Sequence, residues 1–263
     1  MNVDGLLLDI DGVLAISWEP IVGATETLSW LRDHAIPFRL ITNTTTLTRD
    51  ALASTLREVG FAVEATDIVT AVAATAEFLR THHADARVFV LSDGDARADL
   101  EGVTLVEPGE PADVVVIGGA SDDFSYANLN HVFGLLNDGA VLVGMHRNLY
   151  WRTADGLQLD AGAFIAGLEE ATGTTATICG KPAPAFFDAA LELLGVPAAR
   201  VAMVGDDVVN DVLGAQAVGL GGVLVRTGKF RPEDLEREDG MPDQVIGSFA
   251  DLPTLLQGHS SDV

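Results

Sequence analysis

Gly5-Leu6-Leu7-Leu8-Asp9-Ile10-Asp11-Gly12-Val13-Leu14 is a short apolar run that ends in two acids. In a strand, side chains at i and i+2 project from the same face, so Asp9 and Asp11 point one way while Ile10 packs on the other. Like charges that close are costly unless a cation or a shared proton relieves them. The run therefore reads as a buried strand that delivers its last residues to a site. A strand ending in a solvated acidic turn is the plainer alternative, and Asp-Gly by itself fits it.

Three further apolar runs end in polar residues of a matching kind. Phe38-Arg39-Leu40-Ile41 leads into Thr42-Asn43-Thr44-Thr45, and Ala176-Thr177-Ile178-Cys179 into Gly180-Lys181-Pro182. Val201-Ala202-Met203-Val204 leads into Gly205-Asp206-Asp207, with Asp211 close behind. Between the runs lie helical stripes closed by glycine, such as Leu52, Leu56 and Val59 before Gly60, and Phe187, Leu191 and Leu194 before Gly195. Apolar runs separated by helices indicate parallel sheets covered on both faces. Ligands of such sheets bind beyond the carboxyl ends of the strands.

One crevice would then hold several carboxylates, the Lys181 ammonium, and hydroxyl and amide donors. Hard carboxylate oxygens suit Mg²⁺, which usually takes few protein ligands together with substrate phosphate oxygens. Acids alone would repel a phosphate; a bound metal inverts that field. Lys181 adds a second positive charge, and Thr42 can donate to a phosphoryl oxygen. An aspartate beside such a phosphate can act as a nucleophile, and a second carboxylate can then protonate the leaving oxygen and activate water.

Composition narrows the partners. The formal net charge of the 263 residues is −24, with 39 acids against 15 lysines and arginines, which disfavours nucleic acid and anionic lipid. No apolar stretch approaches the roughly 18 residues of a membrane span, and no basic leader precedes Leu6. Cys179 is the only cysteine, so a reducing cytoplasm is expected, with the thiol a small buried hydrophobe. The acids are dispersed, and Lys181 and Lys229 are the only lysines. That pattern reads as adaptation to high intracellular salt, a halophilic habit.

The four ordered motifs resemble those of the haloacid dehalogenase (HAD) superfamily: Asp9-Ile10-Asp11-Gly12-Val13-Leu14, Thr42-Asn43, Gly180-Lys181-Pro182, and Gly205-Asp206-Asp207 with Asp211. The long insertion between the second and third motifs is similar to the C2a-capped, NagD-like class IIA branch. Thr42-Asn43-Thr44-Thr45 and Gly180-Lys181-Pro182 with Phe186-Phe187 look like the phospholysine phosphohistidine inorganic pyrophosphate phosphatase group within it. The resemblance implies an α/β fold: a Rossmann-like doubly wound parallel sheet with an inserted smaller α/β cap domain. Residues 1–80 plus 177–263 would form the core and 81–176 the C2-type cap, closing over the site.

It further implies a Mg²⁺-dependent phosphatase acting on a small phosphorylated compound through an aspartyl-phosphate. Asp9 would be the nucleophile and Asp11 the general acid/base. Thr42, Asn43 and Lys181 would bind the phosphoryl group. Metal ligands would be Asp9, the backbone oxygen of Asp11, and Asp206. Asp211 would orient Lys181 or a metal-bound water, and Asp207 could assist either. A homodimer would suit the family. Asp11 departs from the phospholysine group, where serine is frequent, and follows the wider phosphatase pattern.

Other readings stay open. A receiver-like phosphoacceptor or a catalytically silent HAD-fold binding protein would share much of this residue set, although the Asp9/Asp11 spacing and the insertion oppose the former. A dehydrogenase would want Gly-x-Gly-x-x-Gly after the first strand, which is missing here. Asp206, Asp207 and Asp211 could merely decorate a helix N-terminus, and Thr42-Asn43 could merely cap a turn. His82-His83 read as a solvated helix end, His146-Arg147-Asn148 as a polar loop or a substrate contact, and Trp18 and Trp151 as packing residues. If the acidic surface is a salt adaptation, the melting temperature falls when molar potassium chloride is replaced by dilute buffer. An unchanged melting temperature contradicts it.

Overall fold

The computed structural model describes residues 3–153 and 156–258. Residues 259–263, a short polar end whose sequence alone leads one to expect fraying, lie outside them, as does the side chain of Trp151. The chain divides into two compact units: Met1–Thr42, Asp50–Val69 and Lys181–Val263 form the first, Asn43–Arg49 and Thr70–Gly180 the second. Its first principal elements are β1 (Gly5–Asp9), α1 (Ala24–Asp33), β2 (Phe38–Thr42), α2 (Arg49–Glu58), β3 (Ile68–Thr70) and α3 (Ala71–His82). Then come β4 (Arg87–Leu91), β5 (Thr104–Leu105), β6 (Val114–Ile117), α4 (Tyr126–Asn137), β7 (Val141–Gly144) and α5 (Ala161–Thr172). β8 (Thr177–Ile178), α6 (Pro184–Leu194), β9 (Val201–Gly205), β10 (Gly221–Val225) and β11 (Gln244–Ile246) complete the set.

The first unit is built on a six-stranded sheet in the order β11-β10-β9-β1-β2-β3. β1 pairs parallel with both β9 and β2, and β10 continues the parallel run to β11. Its leucines Leu6, Leu7 and Leu8 are fully buried, as expected for a strand covered on both faces. The chain grows from β1 outward through β2 and β3, then restarts at β9 on the opposite side of β1. That reversal is a topological switch point, where the loops diverge and leave a crevice at the strand ends. Register aligns Leu8 with Val204 and Asp9 with Ile41. Asp9, Thr42 and Asp206 thus emerge at the same edge of the sheet.

The second unit holds a smaller five-stranded sheet in the order β8-β7-β6-β4-β5, with its paired strands parallel. Alternate residues serve opposite faces. Val88, Val90, Val114, Val116 and Val143 pack with Ala71, Val72, Ala76 and Leu79 of α3. Phe89, Leu91, Val115, Ile117 and Leu142 pack with residues of α4 and α5, including Val132, Leu136, Ile165 and Leu168. Tyr150–Thr153 pairs antiparallel with Gly156–Leu159. No helix among the described residues is long and apolar enough to cross a membrane.

The division differs from the sequence reading in three places: Asn43–Arg49 counts with the second unit, and both boundaries of the insertion shift. α3 belongs with the inserted unit, because its apolar stripe covers the smaller sheet; helical periodicity reports that a face is buried, not which sheet buries it. β8 pairs with β7, matching Thr177 to Val143 and Ile178 to Gly144. The third of the motif-bearing runs is therefore a strand of the smaller sheet, and Lys181 is the first residue after the chain returns to the larger unit.

Candidate active site

Asp9, the last residue of β1, is 6% exposed, and its Oδ1 accepts a hydrogen bond from Lys181 Nζ at 2.6 Å. The same ammonium lies 2.7 Å from Asp211 Oδ1. Lys181 and Asp211 are 4% and 1% exposed, so the three charges form a buried triad in the first unit. Asp211 reaches it through a π-helical turn over Val208–Leu213, a wide coil that frequently marks functional positions. Asp207 caps that turn, its carboxylate accepting from the backbone N–H of Val209 and Asn210. Asp211 Oδ2 in return accepts from the Asp207 N–H at 3.1 Å. Gly205 makes room for this, since a Cβ there would stand 2.2 Å from the Asp211 Cβ.

Asp206, 2% exposed, completes a group of acids. Its Oδ2 accepts from the Lys229 backbone N–H at 2.7 Å. Its Oδ1 is buried and has no hydrogen-bond partner among the described residues. Gly12 and Gly228 press on the carboxylate: a Cβ on either would lie 2.0 or 1.9 Å from Asp206 Oδ2, and both backbones take positive φ, +81° and +60°. The Thr227 hydroxyl donates to the Gly12 carbonyl, tying this loop to the turn after β1.

Electrostatics follow from this burial. Desolvation pushes the Asp9 carboxyl above the ordinary range; Lys181 opposes the rise and Asp11 adds to it. Asp206 is pushed up to about 8, first by burial and then by Asp9 and Asp211. Asp211 is pushed up to about 7 by burial, with Lys181 opposing and Asp9 and Asp207 adding. Burial alone would lower the Lys181 ammonium, but Asp211 and Asp9 hold it far above an ordinary lysine. The cluster carries more negative charge than its ammonium neutralises.

Asp9, Asp206 and Asp211 each offer a carboxylate oxygen, and these oxygens lie within 4.8 Å of one another. Three hard oxygen donors fit a small divalent cation such as Mg²⁺, and the buried, unpartnered Asp206 Oδ1 is an atom such an ion would satisfy. The Asp211 side chain thus stands in the oxygen group beside Asp9 and Asp206, while also bonding Lys181. Asp11 is exposed in the turn after β1, close enough to raise the Asp9 carboxyl, and its backbone bridges Ala15. Thr42 is 1% exposed at the end of β2. Asn43 follows it directly but counts with the second unit, where its Oδ1 would lie 2.6 Å from a Cβ placed on Gly180.

The remaining polar candidates have partners within the second unit. His146 is buried 3.8 Å from Asp160, and Arg147 forms a bidentate pair with Glu169. The Asn148 N–H donates to His146 Nδ1. His82 stacks on Phe78 at an exposed helix end. Cys179 is buried at 3% exposure, and desolvation pushes its thiol up to about 11. The site residues that motif reading did not find are Thr227, Gly228 and Lys229, which follow β10. The available signal was the scarcity of lysine, noted as habitat rather than chemistry.

A haloacid dehalogenase-like hydrolase family model matches residues 6–105, and a HAD-hydrolase-like model matches residues 178–252. Haloacid dehalogenase-like hydrolase domain-containing protein 2 of Homo sapiens is 38% identical over 244 residues, covering 93% of this chain and 92% of its own. The phospholysine phosphohistidine inorganic pyrophosphate phosphatase of Homo sapiens is 33% identical over 265 residues, covering 98% and 96%. Among solved structures, NagD from E. coli superposes with a TM-score of 0.86 at 26% identity, covering 95% of this chain and 98% of that one. A glycerol phosphate phosphatase from Mycobacterium tuberculosis in complex with magnesium gives 0.86 at 28% identity, covering 95% and 76%. The match to the two curated relatives along at least 92% of both chains places the protein in the haloacid dehalogenase-like hydrolase family, as a NagD-like member.

Proposed function

We propose that this phosphohydrolase cleaves small phosphorylated compounds with magnesium, through an acyl phosphate on Asp9. The observation that carries the reading is the Asp9 carboxylate: buried at the switch point, held by Lys181, and grouped with carboxylate oxygens of Asp206 and Asp211 within 4.8 Å. Asp9 attacks phosphorus, forming an O–P bond as the bond to the leaving oxygen breaks, and Asp11 gives that oxygen a proton. Asp11 then takes a proton from water as the water attacks phosphorus, which frees inorganic phosphate and restores the Asp9 carboxylate. Thr42, with Asn43 directly after it, donates hydrogen bonds to the phosphoryl oxygens, and Lys181 holds Asp9 while adding positive charge.

Asp9, the backbone oxygen of Asp11 and Asp206 would hold Mg²⁺, with Asp211 fixing Lys181 nearby. The metal would supply positive charge that neutralises the phosphoryl oxygens and offsets the acids' mutual repulsion. Two relatives carry names that put the cleaved phosphoryl group on small compounds, which supports this substrate class. A lone buried Cys179 with a free thiol supports a cytoplasmic setting.

Purified protein with magnesium and p-nitrophenyl phosphate in molar potassium chloride is expected to turn over. Asp9→Asn is expected to lower kcat by about a thousandfold or more, since the nucleophile is lost. No wild-type turnover, or turnover unchanged by Asp9→Asn, would falsify the mechanism. A second outcome concerns pH. The Asp206 and Asp211 carboxyls are raised in the fold from the ordinary 3.8, so their protonated forms favour folding at acid pH. That contribution is lost as pH rises through about 7 and 8. In EDTA the urea midpoint is therefore expected to fall between weakly acid and weakly alkaline pH. Magnesium is expected to restore it mainly at the alkaline end, and an equal magnesium effect at both ends contradicts this.

A further inference from the structure

Two lysines stand among the 15 lysines and arginines of this chain, and both lie at the acid cluster. Surface ion pairs elsewhere use arginine: Arg32 with Asp67, Arg87 with Asp113, and Arg200 with Asp4. Arginine and lysine are not interchangeable, because the ammonium is a compact, strongly hydrated point charge. Lys181 is buried and committed to Asp9 and Asp211. Lys229 is placed differently. Its root is fixed, with the backbone N–H on Asp206 Oδ2 at 2.7 Å and Gly228 wedged against the same carboxylate. Its head is hydrated: the side chain is 60% exposed, and Nζ meets Asp207 Oδ2 at a loose 3.3 Å. The fields of Asp207, Asp206, Asp211 and Asp9 all act on that ammonium.

We propose that Lys229 sets the charge balance of the site, its ammonium weakening the hold on the divalent cation while strengthening the hold on the phosphoryl dianion. The inference rests on reading the site as a magnesium-dependent phosphatase. Asp9, Asp11, Asp206, Asp207 and Asp211 would bind a cation tightly on their own, yet they repel the anion that must follow it. A hydrated ammonium anchored at the rim of the cluster moderates both effects. It does so without entering the buried triad, whose geometry Lys181 maintains. A residue that acted only by holding Asp207 in place would alter both affinities in the same direction. A charge alters them in opposite directions.

A unit charge several ångströms from a divalent ion in a hydrated site changes affinity on the order of tenfold at low ionic strength, and less in molar salt. Calorimetric titration of the full chain tests this with two probes, magnesium alone and then inorganic phosphate on the magnesium-saturated protein. Wild type, Lys229→Met and Lys229→Arg are compared in molar potassium chloride and at the lowest salt where circular dichroism shows all three folded. Lys229→Met is expected to bind magnesium on the order of tenfold tighter and phosphate on the order of tenfold weaker at low salt, with both differences shrinking in molar salt. Lys229→Arg, which keeps the charge, is expected to stay nearer to wild type with both probes. Affinities that move together, or that do not move, overturn the proposal. A wild type that binds no magnesium defeats the underlying reading as well, whereas a wild type that binds both probes with an unshifted Met variant defeats this inference alone.

Discussion

A buried ammonium shared by two buried carboxylates, Lys181 between Asp9 and Asp211, is the interaction on which the site depends. Removing one member of such a group typically costs about 3–5 kcal/mol, because charge is left buried without a partner. The arrangement survives because its carriers are held by elements with little freedom. Asp9 ends a strand whose leucines are fully buried at the centre of a six-stranded sheet. Asp211 is locked by a capped π-helical turn, and Gly205 gives it the space a side chain would take. The cost of gathering these charges is met by apolar burial along β1 and β9. The result is a set of oxygens held in place by the fold itself, the kind of preorganisation on which electrostatic catalysis draws.

Salt divides the electrostatics of the molecule into two regimes. Charges on the surface, the bulk of the net −24, lie in water, where mobile ions screen them over a few ångströms in concentrated salt. Asp9, Asp206 and Asp211 are almost completely buried and gain little from that screening. Their repulsion has to be relieved by groups within the site: Lys181, the rim ammonium of Lys229, backbone N–H groups and, under the proposed function, a divalent cation. An acidic exterior and an acidic interior thus have different origins, although composition adds them into one number.

Much of this was legible in the sequence because strand-end chemistry leaves a local trace. An apolar run that breaks into Asp-x-Asp, Thr-Asn, Gly-Lys-Pro or Gly-Asp-Asp states both the element and the edge from which its polar residues emerge. The less legible features depend on partners distant in sequence. Thr177–Ile178 reads as a buried parallel strand in either sheet, and only its pairing with Val143 and Gly144 assigns it to the smaller one. α3 has the same ambiguity, since Val72, Ala76 and Leu79 specify a buried stripe without naming its cover. Thr227 ties its loop to a distant carbonyl through its hydroxyl, Gly228 acts by close approach, and Lys229 is anchored by its backbone N–H, links that residue-type motifs do not record. His146 and Arg147 sit at a strand end as ligand-binding residues often do, yet they turn toward Asp160 and Glu169.

The central claim is that Asp9 becomes covalently phosphorylated. Its most direct test is to quench the magnesium-supplied enzyme during turnover of p-nitrophenyl phosphate, reduce the acyl phosphate with borohydride, and identify the modified residue by peptide mass spectrometry. If Asp9 is the nucleophile, reduction converts position 9 to homoserine in samples quenched with substrate and not in those without it. Turnover accompanied by an unmodified Asp9, or by modification at another carboxylate, contradicts the account.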